Sequence, residues 1–431
     1  MGQDQYDELE VFLKERRSDH LFLLVGANTL PNWVAAQLLL KQPNGRVYLV
    51  YTSGVRKQLE RLKRILEEEG KPVSCFETDS ADEEKIFKTV KDQAERLAQT
   101  SSGKIGLNYT GGTKMMSVHA HHAIRKAVCD PILSYLDAHS LQLKFDDPPG
   151  GEREVALASE VCISIEKLFK LHGDPKKYKR GDRDRFNYDD KVRAPDAARG
   201  LAIAHSHSSG QELWRKWYNE MMKTKPIDQA SLPTEDDFNR LADAPPEVIA
   251  GCRQVLDGFG VKDGETLQTV VQKNNGDFDR VSGLTNWFNG LWLEHYTFSQ
   301  IAAACQDERF KLNANGLVTN LRATCESGRD SQADVLALRG YQLYYFSCYT
   351  GSDPTTTKLK LFEAIERAKQ LGGEEARAAV VASVDNPVAL RRQVEEELED
   401  DSREGQFEVF GRDSLANLAG EMRRWFDGRR R

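Results

Sequence analysis

Over the first third of the chain, short apolar runs alternate with amphipathic stretches. Leu21-Phe-Leu-Leu-Val25 is continuously apolar and of strand length, the pattern of a strand buried on both faces. The turn Gly26-Ala-Asn-Thr-Leu-Pro31 follows, then a helix from about Asn32 to Lys41. Arg46-Val-Tyr-Leu-Val-Tyr51 reads as a second strand, leading through Thr52-Ser-Gly54 into a long charged helix that ends near Gly70. Lys104-Ile-Gly-Leu-Asn-Tyr109 is a further strand, closed by Thr110-Gly-Gly-Thr113 before a helix over about Lys114 to Val128. Ile132–Leu136 and Leu141–Lys144 complete the set. Strands alternating with helices predict parallel βαβ units and a doubly wound α/β sheet.

Pro148, Pro149, Gly150 and Gly151 then punctuate the chain. Residues 172 to 200 are strongly charged and poor in apolar side chains, which predicts an exposed loop or hairpin, and 210 to 275 reads as mainly helical. From Asn286 a helix to about Gln306 leads into strands at Val335–Leu338 and Leu343–Phe346, a helix at about Thr357 to Leu371 and a strand at Ala378–Val384. The tail is charged and helical in pattern, and no internal repeat is evident. Three units follow: residues 1–147, a linker or helical region with a charged insertion at 148–285, and 286–431.

A length of 431 residues exceeds one ordinary core and agrees with that division. The seven cysteines, at 75, 129, 162, 252, 305, 325 and 348, form no C-x-x-C pair, so neither a zinc site nor a disulfide framework is indicated. Free thiols, a polar start without a signal pattern and apolar runs too short for a membrane lead us to expect a cytoplasmic protein with no membrane partner. The net charge of −7 argues against indiscriminate nucleic-acid binding, although a local basic groove remains compatible with it.

Candidate chemistry gathers at three strand ends, Gly26-Ala-Asn28-Thr29, Thr52-Ser53-Gly and Asn108-Tyr-Thr110-Gly111-Gly112-Thr113-Lys114. Ligands of open parallel sheets bind beyond the carboxyl ends of the strands. Paired glycines there let backbone N–H groups approach a phosphate, and the next helix N-terminus favours its charge. The pattern is neither a Walker A loop nor a G-x-G-x-x-G fingerprint, and a plain tight turn is the alternative. His119, His121 and His122 lack a neighbouring Cys or carboxylate in sequence and read as packed or solvent-facing.

Asn108-Tyr-Thr-Gly-Gly-Thr-Lys-Met-Met resembles the signature loop of CARF (CRISPR-associated Rossmann fold) domains, over about the first 145 residues. The resemblance implies a Rossmann-like sensor, a homodimer whose paired loops enclose a cyclic oligoadenylate made by a type III CRISPR complex. Cyclic tetra-adenylate is the commonest ligand among relatives of this architecture. It assigns ligand contacts to Gly26, Asn28, Thr29, Thr52, Ser53, Asn108, Thr110, Gly111, Gly112, Thr113 and Lys114.

Residues from about Gly290 to Asp385 resemble the restriction-endonuclease-like domain that follows CARF in one effector class. Glu294 stands at the acidic position of its leading helix, and Ser331-Gln-Ala-Asp334 at its first core strand. Leu371-Gly-Gly-Glu-Glu-Ala-Arg377 stands at the turn before the next strand. Phosphodiester hydrolysis at neutral pH uses a divalent ion held by carboxylates, with a lysine beside it. The sequence departs from the family where acid-x-Lys should lie, since Ser347 and Tyr349 occupy those positions and Gln332 replaces the first acid. Two accounts stay open. In one, Mg²⁺ or Mn²⁺ is held by Glu294 and Asp334, with Lys358 and Glu363 rebuilding a nuclease for RNA or DNA. In the other, the domain is a non-catalytic, ligand-responsive module that binds nucleic acid or protein. The basic stretch Lys176 to Arg193, interleaved with acids, reads as a solvated loop, and Trp214, Trp217 and Tyr218 at helical spacing read as core.

Overall fold

The computed structural model describes residues 10–138, 140–146, 155–156, 161–172, 186–224, 230–241, 243–307, 310–324, 330–398 and 405–428. In the first sheet, β1 (His20–Leu24) is central, with β2 (Arg46–Thr52) and β3 (Val73–Thr78) on one side. On the other side lie β4 (Ile105–Asn108), β5 (Ile132–Asp137), β6 (Gln142–Phe145) and β7 (Val155–Ala156). The five strands from β3 to β5 are parallel, and β6 and β7 add antiparallel.

Alternation along β1 builds both layers. Leu21 and Leu23 pack with α1 (Leu30–Leu39) and α2 (Arg56–Glu68), whereas Phe22 and Leu24 pack with α3 (Glu83–Thr100) and α4 (Lys114–Ala127). The strand β3 and the helix α3 have no counterpart in the sequence-based expectation. β3 is a half-exposed edge strand carrying Ser74, Cys75 and Glu77, so it lacks a core strand's apolar run.

The second sheet runs β13-β12-β11-β10-β9-β8, with β8 at Phe186–Asp189, β9 at Leu317–Thr324 and β10 at Asp330–Arg339. β11 covers Gln342–Tyr349, β12 Arg377–Ala382 and β13 Phe407–Phe410. The hairpin, helix and strand expected over 335–384 are present, the helix spanning Pro354–Gly372. Position 286 is not a boundary in the structure. β8 pairs with β9, and the helical segment between them packs on the sheet as one core joining Ala197, Phe259 and Trp287 to Val335, Phe346 and Val381. Burial of one continuous apolar face, rather than the local change of pattern at Asn286, sets the unit. The basic stretch at 176–185 and the Pro148–Gly151 boundary lie outside the described residues.

Between the sheets runs α5 (Ile165–His172), whose Ile165, Leu168, Phe169 and Leu171 are buried. It packs against α1 and α2 of the first domain and against α13 (Pro354–Gly372) of the second. One apolar cluster accordingly reaches from Leu21 to Val380.

Candidate functional sites

The sensor loops meet because β1 and β4 are parallel neighbours, with Leu23 opposite Asn108, so their following turns leave the same edge. The glycines are required by close approach. A Cβ on Gly111 would stand 2.1 Å from the Leu24 carbonyl oxygen, and one on Gly26 would stand 2.9 Å from the Gly112 nitrogen. Gly112 itself has φ +78°, the left-handed region that favours glycine.

Polar residues divide around this turn into supports and an exposed face. Asn108 is fully buried; its Nδ2 donates to Ser134 Oγ at 3.1 Å and its Oδ1 accepts from the Thr110 N–H. Thr110 Oγ1 accepts from the Leu136 N–H at 2.6 Å, clamping the turn to β5. Thr113 caps α4, its hydroxyl accepting from the Met116 N–H, and Thr113 and Lys114 are exposed at that helix N-terminus. Ser53 is exposed and Thr52 half-buried at the end of β2. The surface available to an anion thus comprises the backbone of Gly26, Gly111 and Gly112 with Ser53, Thr113 and Lys114.

Asn28 and Thr29, expected on that surface, face the other domain. Thr29 is fully buried, and its hydroxyl donates to the Leu171 carbonyl at 3.2 Å. Asn28 Oδ1 accepts from the Leu30 N–H at 3.0 Å and lies 3.1 Å from His172 Nε2, while its Nδ2 donates to Glu375 Oε2 at 2.9 Å. Burial pushes the Glu375 carboxyl up to about 7, and its Oε1 is buried with no partner among the described residues. Burial likewise lowers His172 to about 4, so that ring is neutral. The loop after β1 is therefore hooked, through the half-buried Asn28 amide, onto buried Glu375 in the turn that precedes β12, with His172 against the same amide.

Sequence reasoning also passed over Asp146. Its carboxylate accepts from Tyr109 Oη at 2.7 Å and meets His121 Nε2 at 2.6 Å. His119 faces Glu83 at 3.4 Å, and the ring of His122 packs against Phe87. Two of the three histidines thus have a carboxylate partner that the sequence does not place near them. Among the described residues no group of three or more His, Cys, Asp or Glu stands ready for a metal.

In the second domain α12 (Trp292–Ala304) carries Glu294 against the sheet. Preceding it are α6 (Pro195–His205), α7 (Ser208–Thr224), α8 (Glu235–Asn239), α9 (Pro246–Phe259), α10 (Leu267–Lys273) and α11 (Val281–Asn286), the last joined to α12 by a π-turn at Trp287–Leu291. Glu294 Oε2 is buried without a partner among the described residues, and desolvation together with the charge of Asp334 raises its carboxyl to about 9. Asp189 of β8 adds to that repulsion and Arg322 opposes it. Val335 pairs with Phe346, so Asp334 sits beside Ser347, whose hydroxyl approaches its Oδ2 at 3.3 Å; the Cys348 N–H donates to the same oxygen at 2.7 Å. Burial also raises Asp334.

The two residues expected from α13 each have an ion-pair partner. Lys358 is paired with Glu397 of α14 (Pro387–Leu398), and Glu363 accepts from Arg367 at 2.9 Å. The lysine whose charge acts on Asp334 is Lys360, with Glu363 opposing it. Lys358 and Lys360 lie two positions apart on a helix, hence on different faces, and the flanking pattern does not distinguish them. Asp189 had no sequence signal, because β8 is separated from the rest of its sheet by the whole helical segment.

Comparison with known proteins adds to this geometry. Residues 21–142 match the protein family described as the Card1 CARF domain. The first sheet and its helices are thus a Rossmann-like CARF domain, followed by a second sheet-bearing domain. Among solved structures, Can2 from Sulfobacillus thermosulfidooxidans in complex with cyclic tetra-adenylate is similar, with 16% identity and a TM-score of 0.65 over 97% of this chain and 98% of that one. Protein VC1899 from Vibrio cholerae is similar with 15% identity and a TM-score of 0.60, over 95% and 98% of the two chains. At these identities the likeness is one of fold. No curated protein sequence matched the chain. No described helix is long and apolar enough to cross a membrane.

Proposed function

We propose that this chain is a cyclic oligoadenylate sensor, with cyclic tetra-adenylate as its ligand, that controls a Mg²⁺- or Mn²⁺-dependent nuclease acting on RNA or DNA in type III CRISPR antiviral defence in the cytoplasm. The observation that carries the reading is the double engagement of one loop: Gly26 borders the anion-accepting glycine turn, and Asn28, two residues on, is hydrogen-bonded to Glu375 of the second domain. A ligand that prefers one position of that loop then shifts the second domain by its differential affinity. The CARF match supports the sensor, and the cyclic tetra-adenylate bound by the similar Can2 supports the ligand class.

A homodimer suits a ligand of repeating phosphates. Met115 and Val118, large apolar residues 42% and 63% exposed on the first turns of α4, flank the glycine turn and offer that contact.

The buried Glu294 Oε2 beside Asp334, without a partner among the described residues, fits a hard divalent cation, which commonly takes one or two carboxylates along with substrate phosphate. Such an ion would polarise the phosphate and lower the pKa of its water. Around it, the Cys348 N–H and the Ser347 hydroxyl hold the Asp334 carboxylate in place, and Lys360 contributes positive charge toward it.

A second reading, a ligand-responsive binding module without cleavage, is favoured by Ser347 and Tyr349 at the acid-x-Lys positions and by the engagement of Lys358 with Glu397. The deciding experiment incubates labelled single-stranded RNA, single-stranded DNA and supercoiled plasmid with Mg²⁺ or Mn²⁺, with and without cyclic tetra-adenylate. Cleavage that needs ligand and metal and disappears in Asp334→Ala establishes the nuclease. Ligand binding without cleavage establishes the module.

A further inference from the structure

A cavity of about 390 Å³ opens at the carboxyl end of β11. Trp292 and Tyr349 line it, on the helix and the strand that also carry Glu294 and Ser347. Its side walls are aromatic. Trp214 of α7 stacks on Phe288 with centroids 5.8 Å apart and planes at 13°, and Trp217 meets both rings edge-on, at 5.4 and 5.0 Å. Those contacts fix the wall and leave Trp217 and Tyr218 half-buried toward the space.

Three features mark this as a built site rather than a packing defect. The helix is interrupted at Gly290, whose backbone is not helical, and this break sets Phe288 and exposed Asn289 at the mouth. The floor is braced: Gln211 Nε2 donates to the Thr350 carbonyl at 2.7 Å, while buried Arg412 donates to Gln211 Oε1 at 2.8 Å and to the His205 carbonyl at 3.0 Å. Gly351 lies under the Tyr349 ring, where a Cβ would come within 2.2 Å of its Cζ, so the glycine lets that ring fold over the turn.

We propose that this cavity receives one unpaired nucleobase of a single-stranded nucleic acid, an assignment that rests on the nucleic-acid reading of the second domain. The volume lies at the lower end of the roughly 300–1,000 Å³ typical of small-molecule sites, which fits one nucleotide. Indole and phenol faces stack on any base, and exposed Asn219 and Asn289 bring amides to a base edge. Arg215, exposed on the same rim, supplies a cation for the flanking phosphate. Tyr349, at the position of the family's lysine, serves here as a wall for the base.

The test is fluorescence anisotropy of short labelled RNA and DNA single strands in EDTA, where no metal-dependent cleavage competes, with and without cyclic tetra-adenylate. Trp217→Ala and Tyr218→Ala are each expected to weaken single-strand binding about 5- to 100-fold. Trp217→Phe should restore most of it, and duplex, whose bases are paired, should compete poorly. Absence of single-strand binding by the native chain overturns the proposal. So does unchanged affinity in Tyr218→Ala, or equal competition by duplex. Circular dichroism checks folding; if Trp217→Ala is misfolded, Tyr218→Ala and quenching of native tryptophan emission by the strand decide. The underlying reading fails differently: strands bound through the cavity but never cut, with Asp334→Ala binding normally, remove the nuclease and leave the cavity. Cleavage unaffected by either alanine variant removes the cavity and leaves the nuclease.

Discussion

Replacing Glu375 by Gln isolates the electrostatic cost of the interdomain hook. The carboxyl is 2% exposed, and burial holds it near 7 rather than at the ordinary 4.5. Below 4.5 it is protonated in both folded and unfolded chains, and the wild type loses nothing relative to Gln. Between 4.5 and 7 the folded chain retains a proton that the unfolded chain releases, so stability falls as pH rises, and the full loss is reached above 7. A shift of about 2.5 units at roughly 1.36 kcal/mol each amounts to about 3 kcal/mol. With an unfolding entropy of about 2.1 cal/mol/K per residue, a chain of this length that melts as one unit should lose about 3 °C. The assay is thermal unfolding of wild type and Glu375→Gln from pH 5 to pH 8. The profiles should converge at the acid end and separate by a few degrees at the alkaline end, with the variant higher. Parallel profiles would refute a buried, proton-retaining Glu375, and a variant that lost stability more steeply with pH would refute its sign.

Asn28→Ala removes the donor to that carboxyl, a loss of about 1–3 kcal/mol for a buried polar group. Calorimetry should show cyclic tetra-adenylate binding retained while any ligand-dependent change in the second domain's hydrogen exchange is lost; an intact response would exclude this route of coupling. Gly111→Ala forces a Cβ to within 2.1 Å of the Leu24 carbonyl and should abolish ligand binding while leaving the second domain folded, as followed by calorimetry and circular dichroism. Near-native affinity would mean the turn is not the ligand surface. For Glu294, whose carboxyl is raised to about 9, stability in EDTA should fall with rising pH across the range from 4.5 to 9, and less so in Glu294→Gln. Mn²⁺ should flatten the wild-type slope by favouring the ionised form, and a slope indifferent to Mn²⁺ would remove Glu294 from the metal site.

What was legible in the sequence is what a local pattern encodes. Leu21–Val25 is apolar because both faces of β1 are covered, and the Asn108–Lys114 loop carries glycines because no Cβ fits there. β3 escaped because an edge strand needs only one apolar face, and β8 because its partner lies beyond a long helical excursion. At the sites, residue type was visible but direction was not. Asn28 and Thr29 sit in a ligand-type turn yet point at α5 and Glu375, and Lys360 rather than Lys358 acts on Asp334. Those assignments depend on which surfaces meet in three dimensions, and no periodicity along one segment records that.

The pairing of β8 with β9 also fixes an order of events during synthesis. Asp189 opposes Thr319, so β8 leaves the ribosome well over a hundred residues before its partner. At the usual elongation rates it waits roughly ten seconds, with its hydrogen-bonding edge open, while the helices between them form. The nascent second domain therefore passes through a helical stage with a sheet still to be assembled, and its edge must be shielded from neighbouring chains for that interval. Expression beginning at 286 would never supply β8, and the bare edge of β9 would then be a permanent site for chain-to-chain pairing.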